Sequence, residues 1–481
     1  MKLFGDLPLN QRNFLTNGLK EAFDAARRGG ESQLLDDMFK GINIAGTGCN
    51  GVAGSATCGP VGGPPVAGVA QTGATHLRAF ATTQSNLANA NYQGLAATLY
   101  TLNYNRTNSG NSGLPVIPTN QLGAVLRFNN FPENFIAANP QFSDLFNTNG
   151  IGLRTNLNSS NYHAMQAQFT TRPQSGISYQ GTFTWGRSMA SPANGSFANA
   201  ADRIEYGLAS GHRQYEFKQN GILELPIGPG KRFLGNSNGL LARLTESWRL
   251  SAIFNMQSGR PQSISAQQML LNPGIFGATG VPDITPESVA VFGPFPTKFG
   301  KVHWNKGDKA GNYFDPGEFE RVPDPQCGEV TSLQNLNGGS TARCTLQALA
   351  RPLPTDKIGV PGQITLPSGK PGIIVLQNPR PGTRGNLGLN TMEGAGLWLF
   401  DAALSKSIKI AESKSLEFRV DAMNVLNHPT PDDPGLDSCA IGNTLGTNLS
   451  LNSSNPFGQI GGKCVGETPA RRFQARLRIN F

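Results

Sequence analysis

From about residue 160 onward the chain is written in a two-residue rhythm. Met165, Ala167 and Phe169 alternate with Gln166, Gln168 and Thr170. Ile177, Tyr179, Phe183 and Trp185 alternate with Ser178, Gln180, Thr182 and Thr184. Period two is the spacing of side chains on the two sides of a strand. Pro173-Gln174-Ser175-Gly176 between these runs predicts a tight hairpin turn. Tyr215, Phe217, Leu223 and Leu225 then face away from Gln214, Glu216, Lys218, Asn220 and Glu224. Trp248, Leu250, Ala252, Phe254 and Met256 form a further apolar row, as do Trp398, Phe400, Ala402 and Leu404. Leu416, Phe418, Val420 and Ala422 are interleaved with Glu417, Arg419 and Asp421. The last run alternates most clearly: Phe473, Ala475, Leu477, Ile479 and Phe481 against Arg472, Gln474, Arg476, Arg478 and Asn480.

The first third reads differently. Residues 17–28 place Leu19, Phe23 and Ala26 on one helical face, and Gly29-Gly30 predicts its end. Ser32 is placed to cap a second short helix ending at Gly41. Residues 46–75 are rich in Gly and Pro and predict loop, and residues 76–100 carry a weak helical signal. The expected division is therefore a loop-rich region with helices and few strands over 1–159, and strands over 160–481.

Alternation alone also suits a soluble sandwich, and the connections decide between them. The turns after Arg172 and Ile410 are short, whereas 189–211, 258–395 and 427–469 are long and polar. The stretch 227–247 has moderate length and is the exception. Counting back from Phe481 as a periplasmic end puts every long connection outside, as in outer-membrane barrels. Three arginines on one face of the last strand would each cost about 2–4 kcal/mol against lipid near the midplane. Facing a wet lumen they are solvated and can meet Glu417 and Asp421. Trp185, Trp248, Trp398 and Phe481 fall near strand ends, where interfacial aromatics sit. Of the 481 residues, 15% are charged and 38% hydrophobic, and no run approaches the ~20 apolar residues of a spanning helix. The expected fold is all-β: an antiparallel transmembrane β-barrel segment, a partial barrel of about 8–12 strands with long extracellular loops and a short helical pair near the N-terminus. The net charge of +9 is dispersed, which argues against a nucleic-acid partner. Met1 to Pro8 lacks the apolar centre of a signal peptide, so a start segment is expected to be missing.

The six cysteines fall into three local pairs in predicted loops: Cys49 with Cys58, Cys327 with Cys344, and Cys439 with Cys464. Even, local pairs suggest disulfides of an oxidising compartment, with metal ligation or unpaired thiols as alternatives. Gly46-Thr47-Gly48-Cys49-Asn50-Gly51 matches GxGxxG, but Gly54, Pro60 and Gly62 follow where a helix is needed, so it reads as loop. Gly228-Pro229-Gly230-Lys231 lacks P-loop spacing and reads as a turn. His76, His163, His212, His303 and His428 are scattered, and neither HExxH nor GxSxG occurs. No enzyme, cofactor or metal is expected; Asp432, Asp433 and Asp437 read as solvated loop acids rather than as Ca²⁺ ligands.

Several stretches, in order, resemble a known family. They are the helix Leu19 to Arg28 with Gly30-Glu31-Ser32, Phe131-Pro132-Glu133-Asn134-Phe135 and Ala138-Asn139-Pro140-Gln141-Phe142. They continue with Asn161-Tyr162-His163, Phe183-Thr184-Trp185, Glu224-Leu225-Pro226, Gly230-Lys231-Arg232-Phe233 and Gln257-Ser258-Gly259-Arg260-Pro261. Gly385-Asn386-Leu387-Gly388, the strand through Asp401, Phe418-Arg419 and Asn424-Val425-Leu426-Asn427-His428-Pro429 follow. The chain resembles the C-terminal half of an Oar-like TonB-dependent outer-membrane receptor, the type whose longer members carry a carboxypeptidase-regulatory-like domain. The resemblance implies ligand capture and uptake across the outer membrane of a Gram-negative type cell. It implies outer-membrane lipid, a barrel-assembly machinery that reads Phe473 and Phe481 as a terminal signal, and an unknown ligand as partners, with the TonB system engaged only through a missing N-terminal part. No plug or TonB box is recognisable, so a fragment is expected. The rival expectation is a surface adhesion or structural barrel without transport.

Overall fold

The computed structural model describes residues 2–8, 13–44, 58–101, 124–136, 152–174, 176–191, 206–266, 281–301, 303–304, 311–333, 344–381, 383, 385–388, 390–410, 414–428, 448–449, 457–460 and 470–481. Its frame is one antiparallel sheet of nine strands. The eight long strands are β1 (Lys2–Pro8), β2 (Gly152–Gln174), β3 (Ile177–Ala190), β4 (Tyr215–Glu224), β5 (Trp248–Gln257), β6 (Leu397–Lys409), β7 (Ser415–Met423) and β8 (Arg472–Asn480). Each pairs with its successor in chain order, and the short Gly207–Leu208 adds to the end of β3. β2 to β8 contain the alternating runs, although β2 starts at Gly152, earlier than residue 160. β1 is a strand that alternation does not reveal. It pairs with the first part of β2, Gly152 to Ser159, while Ser160 to Gln174 pair with β3.

Register turns each alternating run into one continuous face. Phe183 lies opposite Phe217, Phe217 opposite Met256, Phe254 opposite Phe400, and Met256 opposite Trp398. Leu404 lies opposite Val420, which lies opposite Ala475. The rings of Phe183, Phe217, Phe254 and Trp398 follow one another at 6.3–6.4 Å across four strands. The other face carries Glu216, Lys218, Glu224, Arg249, Asp401, Glu417, Arg419 and Asp421. All four long connections leave from one end of the sheet. The ends joined from β2 to β3 and from β6 to β7, and the 225–247 connection, lie at the other. Among the described residues no partner pairs with the outer edge of β1 or β8. Residues 161–170 of β2 and 472–479 of β8 are exposed on both faces.

The first long connection is helical, beyond the expected pair. It holds α1 (Leu19–Arg27), α2 (Gln33–Phe39), α3 (Gly73–Ala79), α4 (Ala81–Ala88), α5 (Tyr92–Thr101) and α6 (Ala124–Phe128). The predicted face of α1 is buried through Leu19, Phe23 and Ala26, and Gly29 and Gly30 close it by donating to Ala26 O and Ala25 O. Ser32 occupies the N-cap position of α2, but its side chain makes no capping bond. His76 of α3 is fully buried and neutral: Nδ1 accepts from Ile44 N and Nε2 meets Gln71 Oε1. Burial holds its pKa down at about 4. The unfolded chain takes up this proton near pH 6.5, whereas the folded one resists until about 4. The contribution, on the order of 3 kcal/mol, is therefore complete above pH 6.5 and lost as pH falls towards 4. We expect the protection factors of the Ile44 and Leu77 amides, which are corrected for the pH dependence of intrinsic exchange, to fall between pH 6.5 and 4.5 in the wild type and to stay flat over that window in His76→Gln.

The described residues of the stretch 258–395, expected as polar loop, form a folded unit. Glu320–Pro323, Gln347–Pro352, Pro371–Gln377 and Gln363–Thr365 form a sheet in that order, and Asp283–Ile284 also pairs with Pro371–Gln377. Phe295, Tyr313, Phe314, Leu349, Val375 and Leu376 are buried beneath it with a helix, α8 (Pro286–Phe292), alongside. Gly385 is required there because a Cβ would collide with the carbonyl of Val281. Cys327 and Cys344 form a disulfide with Cα atoms 5.2 Å apart. Cys58 is also disulfide-bonded. Cys49, Cys439, Cys464, the GxGxxG stretch and Asp432, Asp433 and Asp437 lie outside the described residues.

Candidate functional site: the cap cleft and the polar sheet face

The long connections interlock into a cap. A 3-10 segment, Pro325–Leu333, sends Val330 and Leu333 into the helical core. Arg27, 2% exposed, donates through Nη1 to Gln326 Oε1 at 3.4 Å and through Nη2 to Ala88 O at 3.3 Å. Thr345 donates from N and Oγ1 to Asn89 Oδ1 at 2.8 and 2.9 Å. From beyond β7, Phe457 stacks on Phe314 at 5.6 Å, and Gln459–Ile460 pairs with Gly311–Asn312.

Where α1 meets this unit lies a cleft of about 330 Å³, lined by Lys20, Asp24, Arg28, Glu329, Arg380, Pro381 and Thr383. Arg380 Nη2 meets Glu329 Oε1 at 2.6 Å. That pairing holds the Glu329 carboxyl below its ordinary range and raises Arg380. Lys20 Nζ lies 3.6 Å from Asp24 Oδ2, and Tyr92 donates its hydroxyl to Asp24 Oδ1 at 2.5 Å. Three cations thus face two carboxylates, leaving a net positive lining suited to an anionic group. None of these residues stands out in the sequence. Their one local signal is that Glu329 follows the disulfide cysteine Cys327 by two positions.

The polar sheet face brings together part of the expected charged set. Glu417 lies opposite Arg478, Asp421 opposite Gln474, Arg419 opposite Arg476, and Arg472 opposite Met423. Within this set Arg419 pairs with Asp421 at 2.7 Å, along one strand, and Arg476 lies opposite Arg419, a like charge, rather than an acid. Glu224 and Arg249 pair across β4 and β5 at 3.0 Å. Phe473 and Phe481 are exposed, Phe473 on the apolar side of β8. Two charges break the rule: register places Arg187 on the face of Phe183 and Trp185, and Lys406 on the apolar face opposite Trp248 and Phe418. Among the described residues no group of His, Cys, Asp and Glu is arranged to hold a metal. Gly228 and Gly230 adopt φ of 111° and 70° in a turn.

An eight-strand ladder with one apolar and one charged face, short turns at one end and long connections at the other, has the design of a membrane-spanning barrel wall. No curated protein matches the chain. The family model described as "Outer membrane beta barrel domain" matches residues 47–474, which include β2 to β7 and most of the cap. The chain belongs to this outer membrane beta barrel domain family and is an outer-membrane protein.

Proposed function

We propose that this chain is the C-terminal barrel portion of an Oar-like TonB-dependent receptor, capturing a ligand at the cap and passing it along the polar sheet face. The observation that carries the reading is the cap. Its long connections share a buried core and enclose a positive cleft, the architecture of a selective capture site. Lys20, Arg28 and Arg380 would take a carboxylate or phosphate of the ligand, with Glu329 and Asp24 fixing the two nearest cations. The charged face from Glu216 to Asp421 would line the path. The fully exposed stretches of β2 and β8 leave room for further strands, as a receptor barrel of about 22 strands needs.

Transport of this type needs a plug and a TonB box joined to the barrel. The reading frame upstream of residue 1 tests it. A plug domain preceded by a TonB box is expected. A signal peptide running directly into residue 1 without a plug contradicts the transport reading and favours an adhesion or structural barrel.

A further inference from the structure

The connection between β4 and β5 sits among the short turns yet is built unlike one. Residues 226–237 form a hydrogen-bonded knot: Phe233 N donates to Pro226 O, Gly228 N to Phe233 O, and Gly230 N to Gly235 O. A helix, α7 (Gly239–Thr245), follows and buries no residue. Leu240, Leu241 and Leu244 share one face by their spacing and are 79%, 51% and 57% exposed. Phe233 and Leu234 are exposed beside them. Five large apolar side chains in a 12-residue stretch form a patch that water disfavours.

Lys406 shows where that patch lies. Its strand position points it from the apolar wall, where an unpaired ammonium is costly against lipid. It instead donates to Leu244 O at 3.0 Å and Glu246 O at 2.8 Å, and lies 5.0 Å from the centre of the Trp248 ring. Trp248 Nε1 donates to the same Leu244 carbonyl at 2.9 Å. A cation at the carbonyl end of a helix is favourable, so α7 is fastened by its C-terminus against the lipid-facing side of the wall. Arg243 adds a bond to Lys409 O at 3.3 Å. The leucines therefore continue the apolar surface of Trp248, Leu250 and Leu223; Arg232 and Arg243 flank them in the chain, Arg243 also meeting Glu246 at 3.1 Å, while Lys231 pairs with Glu224 of the polar face at 3.7 Å.

We infer that residues 226–247 form an in-plane anchor in the periplasmic leaflet of the outer membrane. The five apolar side chains enter the acyl layer, and Arg232 and Arg243 hold phosphates of anionic phospholipid. The inference rests on membership of the barrel family and is independent of transport. The test uses p-benzoylphenylalanine incorporated at Leu240 in the protein produced with its upstream region, irradiated in isolated outer membranes, with adducts identified by mass. Phospholipid adducts are expected. Arg232→Glu with Arg243→Glu should cut the share of phosphatidylglycerol among them several-fold. The same probe at Phe418, on the lipid-facing wall, reports on the barrel itself. Lipid adducts at Phe418, with adducts to another polypeptide or none at Leu240, would overturn the anchor and leave the barrel intact. Absence of lipid adducts at both positions would overturn the wall on which the anchor depends.

Discussion

Phe254→Arg is expected to abolish a folded barrel, whereas Ile253→Arg, one residue away, is expected to be tolerated. Phe254 touches Phe217, Trp398 and Phe400 with ring centres 6.3 Å apart in each case. Arginine there loses the aromatic row and places a charge against lipid, at about 2–4 kcal/mol near the midplane before the lost packing is added. Ile253 is on the opposite face, between Asn220 and Asp401 and half exposed. An arginine in its place meets water and a carboxylate across the strand. Mobility of unheated and heated samples on denaturing gels reads the outcome. The heat-dependent shift should disappear for Phe254→Arg and persist for Ile253→Arg. Equal loss in both would remove the assignment of the two faces.

The second large effect is in the cap. The Cys327–Cys344 disulfide closes 17 residues, and constraint of a loop of that size contributes about 3 kcal/mol through the unfolded chain. It ties the segment carrying Val330 and Leu333, which fill the helical core, to the strand at Gln347–Pro352. Replacing both cysteines by serine should make the cap markedly easier to cleave by protease and lower its urea midpoint, with the heat-dependent shift of the barrel unchanged. A cap that resists protease as well as the wild type would show that its cohesion comes from packing alone.

Much of the wall was legible because its physics is local. In β8 every second residue is apolar from Phe473 to Phe481, and a strand buried on one side only must look so. β1 was not legible: Lys2, Leu3, Phe4, Gly5, Asp6, Leu7 and Pro8 carry no alternation, and the strand is defined by its partner β2. Lys406 breaks the apolar row of β6 just after Leu404, and its reason lies about 160 residues earlier, at the carbonyls of Leu244 and Glu246. Helices α3 to α5 bury polar groups such as His76, Thr83 and Gln84 with small residues, which blurs a helical stripe. The unit over 258–395 is built from strands of two to seven residues, too short for a periodic signal. The cleft joins Lys20 to Arg380, and only tertiary packing brings such distant positions together.

The account depends on the cap standing outside the cell and the short turns inside the periplasm, and lysine labelling tests this without mutation. Intact cells producing the protein with its upstream region are treated with an amine-reactive reagent that cannot cross the outer membrane, and labelled peptides are quantified by mass. Lys298 and Lys357 are exposed on the cap, while Lys231 and Lys414 are exposed at the short-turn end. Lys298 and Lys357 should react on intact cells, and Lys231 and Lys414 only after the outer membrane is permeabilised. Labelling of Lys231 and Lys414 on intact cells to the same extent as Lys298 and Lys357 would contradict it.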